Sequence, residues 1–305
     1  MPFTSTNKSI QCKLSVNRHG LTVLELLVTL SMIGVLLALL LPAMGAARES
    51  ARRVQCVEHL REVGLALQNH DIALNHLPIG WKFDPSNRTA FGWAVRLLPY
   101  LEQPALAEQI KLDKAVDDPV HALARRTSLE VMLCPSDITD PTFILFKEVE
   151  VGDEVETTAT VSNTTATPLI PLTELPTANY VGVFGTIEPD DHVPAPIGDG
   201  AFLENRVTRF RDFQRGLSQT FVVGERTMAQ VPSTWLGVDI HGEDAAARIV
   251  GATLEGINNP LADECDFSSR HPGGASFLWG DGHVSFVSQQ IDLIEYRRSS
   301  QLRVH

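Results

Sequence analysis

The chain has 305 residues, 44% of them apolar and 20% charged, with a net charge of −12. These proportions belong to a folded protein with room for a sizeable core and exclude general disorder. The acidic balance excludes non-specific nucleic-acid binding, which depends on Lys and Arg neutralising phosphates, and leaves divalent cations admissible.

The first element in chain order is the run Leu21–Leu41, 21 residues whose one charge is Glu25. At about 1.5 Å per residue, such a helix spans roughly the 30 Å of a bilayer's hydrocarbon. A carboxylate within it costs on the order of 2.5 to 3.5 kcal/mol, so Glu25 calls for a partner. Cleavage after Gly20 would supply one, because the new α-amino group on Leu21 is mostly protonated at neutral pH and can pair with Glu25 of a neighbouring copy. Gly20 followed by Leu21-Thr22-Val23-Leu24-Glu25 resembles the signal of type IV prepilins and type II secretion pseudopilins. That resemblance implies a prepilin peptidase and N-methyltransferase that cuts after Gly20 and methylates Leu21, where the family usually has Phe. It further implies assembly through Glu25 with other pilin-like subunits, and a bend near Pro42, since proline removes a helical hydrogen bond.

Two plainer readings of this segment stay open: a secretory signal peptide cut at Ala43-Met44-Gly45, and an uncleaved anchor. Lys8, Lys13 and Arg18 before the span balance Arg48, Arg52 and Arg53 after it. Charge alone therefore leaves the orientation almost undecided. Loss of a leader over 1–20 would remove those three cations and no acid, taking the net charge to −15.

From Ala43 to Leu77 there is no proline, and Val54, Val57, Leu60, Val63 and Leu67 recur at steps of three and four. The spacing predicts an amphipathic continuation of the helix that packs its stripe on the following domain. Residues 77–99 are rich in turn formers and aromatics and read as a loop with short strands. Short helical segments are predicted over 93–101, 104–112 and 119–128, the last capped by Asp117 or Asp118. Residues 142–151 alternate as in a strand, 153–177 read as an exposed insertion or loose hairpin, and 179–184 and 220–223 are further strands flanking a short helix at 210–216. The absence of a long repeat excludes solenoids and propellers.

The most patterned soluble stretch is 271–287, His271-Pro272-Gly273-Gly274 through Trp279-Gly280-Asp281-Gly282-His283 to Val287. It predicts a hairpin, with Asp281-Gly282 as a tight two-residue turn because both residue types tolerate positive φ. Two roles compete for its polar residues. In one, His271 pins the loop through a hydrogen bond while Asp281 and Gly282 only turn the chain. In the other, His271, Asp281 and His283 converge on a metal, with Asp199 or Glu225 as a further ligand. Of the four cysteines, Cys12 lies in the leader; among Cys56, Cys134 and Cys265 the favoured pairing is a disulfide between Cys56 and Cys134, given an oxidising compartment.

His271, nine residues, then Asp281-Gly282 resembles the hallmark of the H-x9-D-G family, DUF1559, a bacterial family of prepilin-like proteins abundant in planctomycetes. Cys56 to Asn69, Leu97-Leu98-Pro99-Tyr100, Leu133-Cys134-Pro135-Ser136-Asp137, Gly224-Glu225-Arg226 and Ser268-Ser269-Arg270-His271 carry the same resemblance in order along the chain. Residues 149–171 match least and read as a variable insertion.

The expected fold is α+β: a leader over 1–20, a helix over 21–76 with its membrane span at 21–41, and an antiparallel-sheet domain over 77–305. The expected protein is a single-pass inner-membrane subunit, pilin-like or pseudopilin-like, with its domain on the periplasmic side. Its partners would be the prepilin peptidase/N-methyltransferase, other pilin-like subunits or itself, and membrane lipid, with no nucleic acid. The alternative is an anchored display module for a solute, glycan or metal, in which exposed Trp81, Trp93 and Trp235 would stack on sugars. No phosphate loop, H-E-x-x-H or G-x-S-x-G motif occurs, a paper triad of Ser218, His241 and Asp239 has nothing to recommend it, and neither enzymatic activity nor a cofactor is expected.

Overall fold

Thr22 and Glu25 open the first helix as a reciprocal cap. The Thr22 hydroxyl accepts from the Glu25 amide at 3.2 Å, and Glu25 Oε2 accepts from the Thr22 amide at 2.8 Å, satisfying two donors that a helix N-terminus leaves unpaired. Helix α1 then runs from Val23 to Leu74 without interruption at position 42, and ends where Asn75 turns to φ 60° and returns its amide to the Asp71 carbonyl. The computed structural model describes residues 22–137, 140–148, 169–190, 192 and 194–303. The leader, Gly20, Leu21 and nearly all of the expected insertion at 149–171 lie outside them.

The chain divides into two compact units, one ending at Arg48 and one beginning at Glu49. In the first, α1 carries a window of mean hydropathy 2.5, none of it buried, long and apolar enough to cross a membrane.

In the second unit the rest of α1 packs. Its buried face is Cys56, Leu60, Val63, Leu67 and His70, at alternating steps of four and three. Val54, expected on that face, is 59% exposed. It lies two positions from Cys56, on the far side of a helix with 3.6 residues per turn.

The strands are β1 (Trp81–Phe83), β2 (Thr89–Gly92), β3 (Thr142–Phe146), β4 (Pro171–Ala178), β5 (Tyr180–Gly185), β6 (Phe221–Glu225), β7 (Ser233–Thr234), β8 (Gly237–Asp239), β9 (Val250–Ala252), β10 (Gly274–Trp279) and β11 (Val284–Ser288). The short helices are α2 (Pro104–Gln109), α3 (Ala122–Arg126) and α4 (Leu293–Ser300), and 3-10 turns occupy Trp93–Tyr100 and Pro119–His121. Asp118 caps the second of these through the Val120 amide, as expected.

The main sheet has the order β11-β10-β6-β5-β9 and is antiparallel except at its β5–β9 pair. Two three-stranded sheets, β1-β2-β8 and β3-β4-β7, accompany it, their last strands falling between β6 and β9 in sequence. Leu60, Val63 and Leu67 of α1 share one core cluster with Tyr180, Phe184, Val223 and Leu278, whereas Val181, Val183, Phe221 and Phe277 cluster with Tyr296 of α4. The main sheet is thus covered on both faces, and β10 shows none of the buried-exposed alternation of a half-solvated strand. Gly64 makes the close helix–sheet approach possible: a Cβ there would lie 2.7 Å from Leu278 Cδ1. The architecture is α+β with antiparallel sheets, as the sequence pattern indicates.

The hairpin of β10 and β11 differs from expectation in its turn. Trp279 and His283 close it through the Trp279 amide and the His283 carbonyl, so three residues, Gly280 to Gly282, make the connection. Gly282 adopts φ 92°, the left-handed position of a three-residue hairpin loop.

Candidate functional site

Four elements converge beneath the packed face of α1. Glu49 and Cys56 sit seven residues apart on α1, which places them on one face two turns apart. Cys134 follows the 3-10 turn at Glu130–Met132, Glu225 ends β6, and His271 lies in the loop before β10. Successive residues of a strand point to opposite faces, so Glu225 enters the cluster while neighbouring Arg226 reaches away from it to the carbonyls of Val250, Glu264 and Cys265.

The His271 ring is the hub. Its Nδ1 lies 2.6 Å from Glu49 Oε1, and its Nε2 lies 3.1 Å from Cys56 Sγ, 3.4 Å from Cys134 Sγ and 3.4 Å from Glu225 Oε1. Cys56, Cys134, Glu225 and His271 are all buried, and one donor atom from each falls within 4.8 Å of every other. Glu225 Oε2 accepts from the Ser276 amide, but Oε1 has no hydrogen bond of good geometry. Glu49 is braced from outside by Arg52, at 2.7 Å, and by the Ser136 hydroxyl.

Electrostatics follow from this packing. Burial opposes charge on the His271 ring, yet its hydrogen bond to Cys56 and the close Glu225 carboxylate with its charge, with Glu49 behind, outweigh it and raise the ring to about 10. The Cys56 thiol is pulled down to about 6, first by its hydrogen bond to Cys134 and then by His271, and Cys134 is pushed up in exchange. The two are free thiols with sulfurs 2.7 Å apart, so the structure brings the expected disulfide partners together without a bond between them.

The loops that carry the cluster are held by a buried carboxylate not anticipated from sequence. Asp137 accepts from Asn179 Nδ2, the Thr227 hydroxyl, the Met228 amide and Arg270 Nε. Asn179 in turn receives the Cys134 amide at 2.9 Å.

The other sequence candidates lie elsewhere. Asp281 and His283 pair with each other at 2.6 Å on the exposed hairpin turn, where the His283 ring stacks on Trp279; His271 is buried among other partners, so these three do not form a metal set. Asp199 accepts from Thr186 and Gln301 and ties those segments together. Trp81, Trp93 and Trp235 are at most 2% exposed and form core, with the Trp93 and Trp235 indoles donating to backbone carbonyls, so none is a stacking platform. The Asp239 carboxylate does meet His241, but Arg88 holds its other oxygen and Ser218 takes no part. Glu49 was legible in principle, through its seven-residue spacing from Cys56.

A separate cavity of about 760 Å³ opens among Trp81, Phe83, Glu148, Asp190, Glu204, His241, Asp244 and Glu264. Its acids crowd together: Asp190, Asp244 and Glu264 form a second close group, and burial with the Glu264 charge pushes Asp244 up to about 7.

Comparison with known families gives one match. Residues 45–293 fit the family described as protein of unknown function, DUF1559. The chain belongs to this family. The matched range holds the whole buried cluster and the His271–Gly282 hallmark, and leaves the apolar half of α1 outside it. Curated proteins and solved structures give no match. Membership of DUF1559 together with the apolar N-terminal helix fits a membrane-anchored, exported protein.

Proposed function

We propose that the protein is a pilin-like or pseudopilin-like structural subunit rather than an enzyme. A prepilin peptidase would cleave it after Gly20 and methylate it at Leu21, and the apolar half of α1 would hold it in the inner membrane with the domain on the periplasmic side. The observation that carries this reading is the apolar window of α1, exposed throughout, with Glu25 as its one charge. Glu25 binds Thr22 through Oε2, and in the assembled state the carboxylate would also meet the Leu21 amine of another subunit. Intact mass of the membrane-extracted protein tests the processing: a chain starting at methylated Leu21 supports it, and an intact Met1 or a start near Ala46 removes it. Glu25→Ala should leave cleavage unchanged and abolish subunit crosslinking. Undiminished crosslinking in that variant would refute the register role.

The acidic cavity favours a second reading, an anchored module that displays a site for a small cationic solute. Affinity should then fall as pH drops through about 7, where Asp244 takes up a proton, and Asp244→Asn should remove that dependence. Calorimetric titration with divalent cations and small amines checks this, and absence of heat at millimolar concentration would discard it.

A further inference from the structure

The buried cluster presents a proton problem. One imidazole nitrogen, His271 Nε2, is the near neighbour of two sulfurs and a carboxylate oxygen at 3.1, 3.4 and 3.4 Å, and it has one hydrogen to offer. Glu225 Oε1, on a side chain 2% exposed, is left without a well-formed hydrogen bond and faces that same nitrogen. A buried carboxylate oxygen in this condition is costly, and a cation at the centre relieves all four donors at once.

We propose that Cys56, Cys134, His271 Nε2 and Glu225 Oε1 bind one divalent transition-metal ion, with zinc the best-fitting chemistry, and that Glu49 is the positioning residue for His271. Two sulfurs, one imidazole and one carboxylate make a four-donor set of the borderline-soft kind that zinc favours. Ligands about 2.0 to 2.3 Å from a tetrahedral centre stand roughly 3.3 to 3.7 Å from one another, and the three distances from Nε2 lie in or just below that range. The sulfurs, at 2.7 Å, must part by about 1 Å to take their places. Glu49 on Nδ1 supplies the carboxylate–histidine–metal relay that fixes which ring nitrogen faces the ion.

Binding is a simple exchange. The ion takes the place of the protons that the two sulfurs and Nε2 share, those protons leave to solvent, and no electrons move. All four donors come from the chain and all are buried, so the centre is closed and its role is to clamp α1 to the sheet. The clamp is independent of whether the apolar half of α1 is processed as a pilin.

Full-length protein extracted in detergent under reducing, metal-replete conditions tests the site by elemental analysis. About one zinc per chain is expected, lost in Cys134→Ser and retained in Asp281→Ala and Cys265→Ser. Cobalt substitution of the unaltered protein should give sulfur-to-metal charge-transfer absorption in the near ultraviolet, a readout that needs no variant to fold. Glu49→Gln should keep the metal and bind it about 10- to 100-fold more weakly against a chromophoric chelator. A chain that takes up neither zinc nor cobalt overturns the proposal, as does a metal content indifferent to Cys134→Ser and Glu225→Gln. An unreduced digest of the membrane-extracted protein that yields Cys56 and Cys134 in one linked peptide overturns it equally, because a disulfide leaves no thiolates to bind.

Discussion

The two halves of α1 belong to one helix and meet opposite circumstances. Between Val23 and Leu41 the apolar side chains stand exposed, whereas between Cys56 and His70 one face of the helix is buried in the domain, with Leu60, Val63 and Leu67 in the same core cluster as Tyr180, Phe184 and Val223 of the main sheet. At about 25 cal/mol for each Å² of apolar surface, the first half cannot stay in water and the second has already been taken out of it. The difference lies in pattern. The first half is apolar all round, as befits a segment surrounded by lipid or by other helices, and the second is apolar along one stripe, as befits a helix on a domain.

Four variants would break or sharpen that contrast. The largest effect is expected from Leu30→Lys combined with Leu36→Lys, each costing about 3 kcal/mol at mid-bilayer. Membrane association should be lost while the domain's fluorescence and melting remain as they were. Recovery of the double variant in carbonate-washed membranes would show that the apolar half is not the anchor. Next in size, Leu60→Ala should cost about 2–5 kcal/mol in denaturant unfolding of the detergent-extracted chain, with no change in membrane association. Leu65→Ala, on the exposed face of the same helix, should stay within about 0.5 kcal/mol, and similar losses for the two would mean that the buried face has been misplaced. The smallest effect concerns the other cover of the sheet. Asp292 caps α4 by accepting from the amides of Ile294 and Glu295, and Asp292→Ala should cost about 1 kcal/mol without touching the α1 face. Hydrogen exchange would show whether the added opening stays within α4.

Much of α1 was legible because a 3.6-residue period survives in the sequence whatever else the chain does. Its inner face was nonetheless misplaced toward Val54, since Cys56 and His70 count for little in an apolar tally while Val54 counts fully. β5 and β6 announced themselves through Val and Phe, and the hairpin through Asp281-Gly282. β7, β8 and β9, two or three residues each, are too short for any period to show and exist only because neighbouring strands pair with them. His271 was singled out by spacing, but its partners at 49, 56, 134 and 225 are scattered, whereas Asp281, the acid that the motif sets nearest to it, pairs with His283 on the hairpin turn. Proximity in sequence predicts contact across a turn, and this cluster owes nothing to turns.

That scattering governs the order in which the molecule can be built. His271 meets Cys56 across a separation of 215 residues, and Leu278 fills the space beside Gly64. Contacts of such range wait for nearly the whole chain, because closing a long loop costs entropy before its contacts repay it. Until β10 is in place, the face from Cys56 to His70 lacks Leu278 and the His271 loop from its cover, so a nascent or truncated chain ending before about residue 270 would present a partly bare helix to whatever is near. Such a fragment is a substrate for chaperones and proteases, and the last eighth or so of the sequence completes the protection of the first helix.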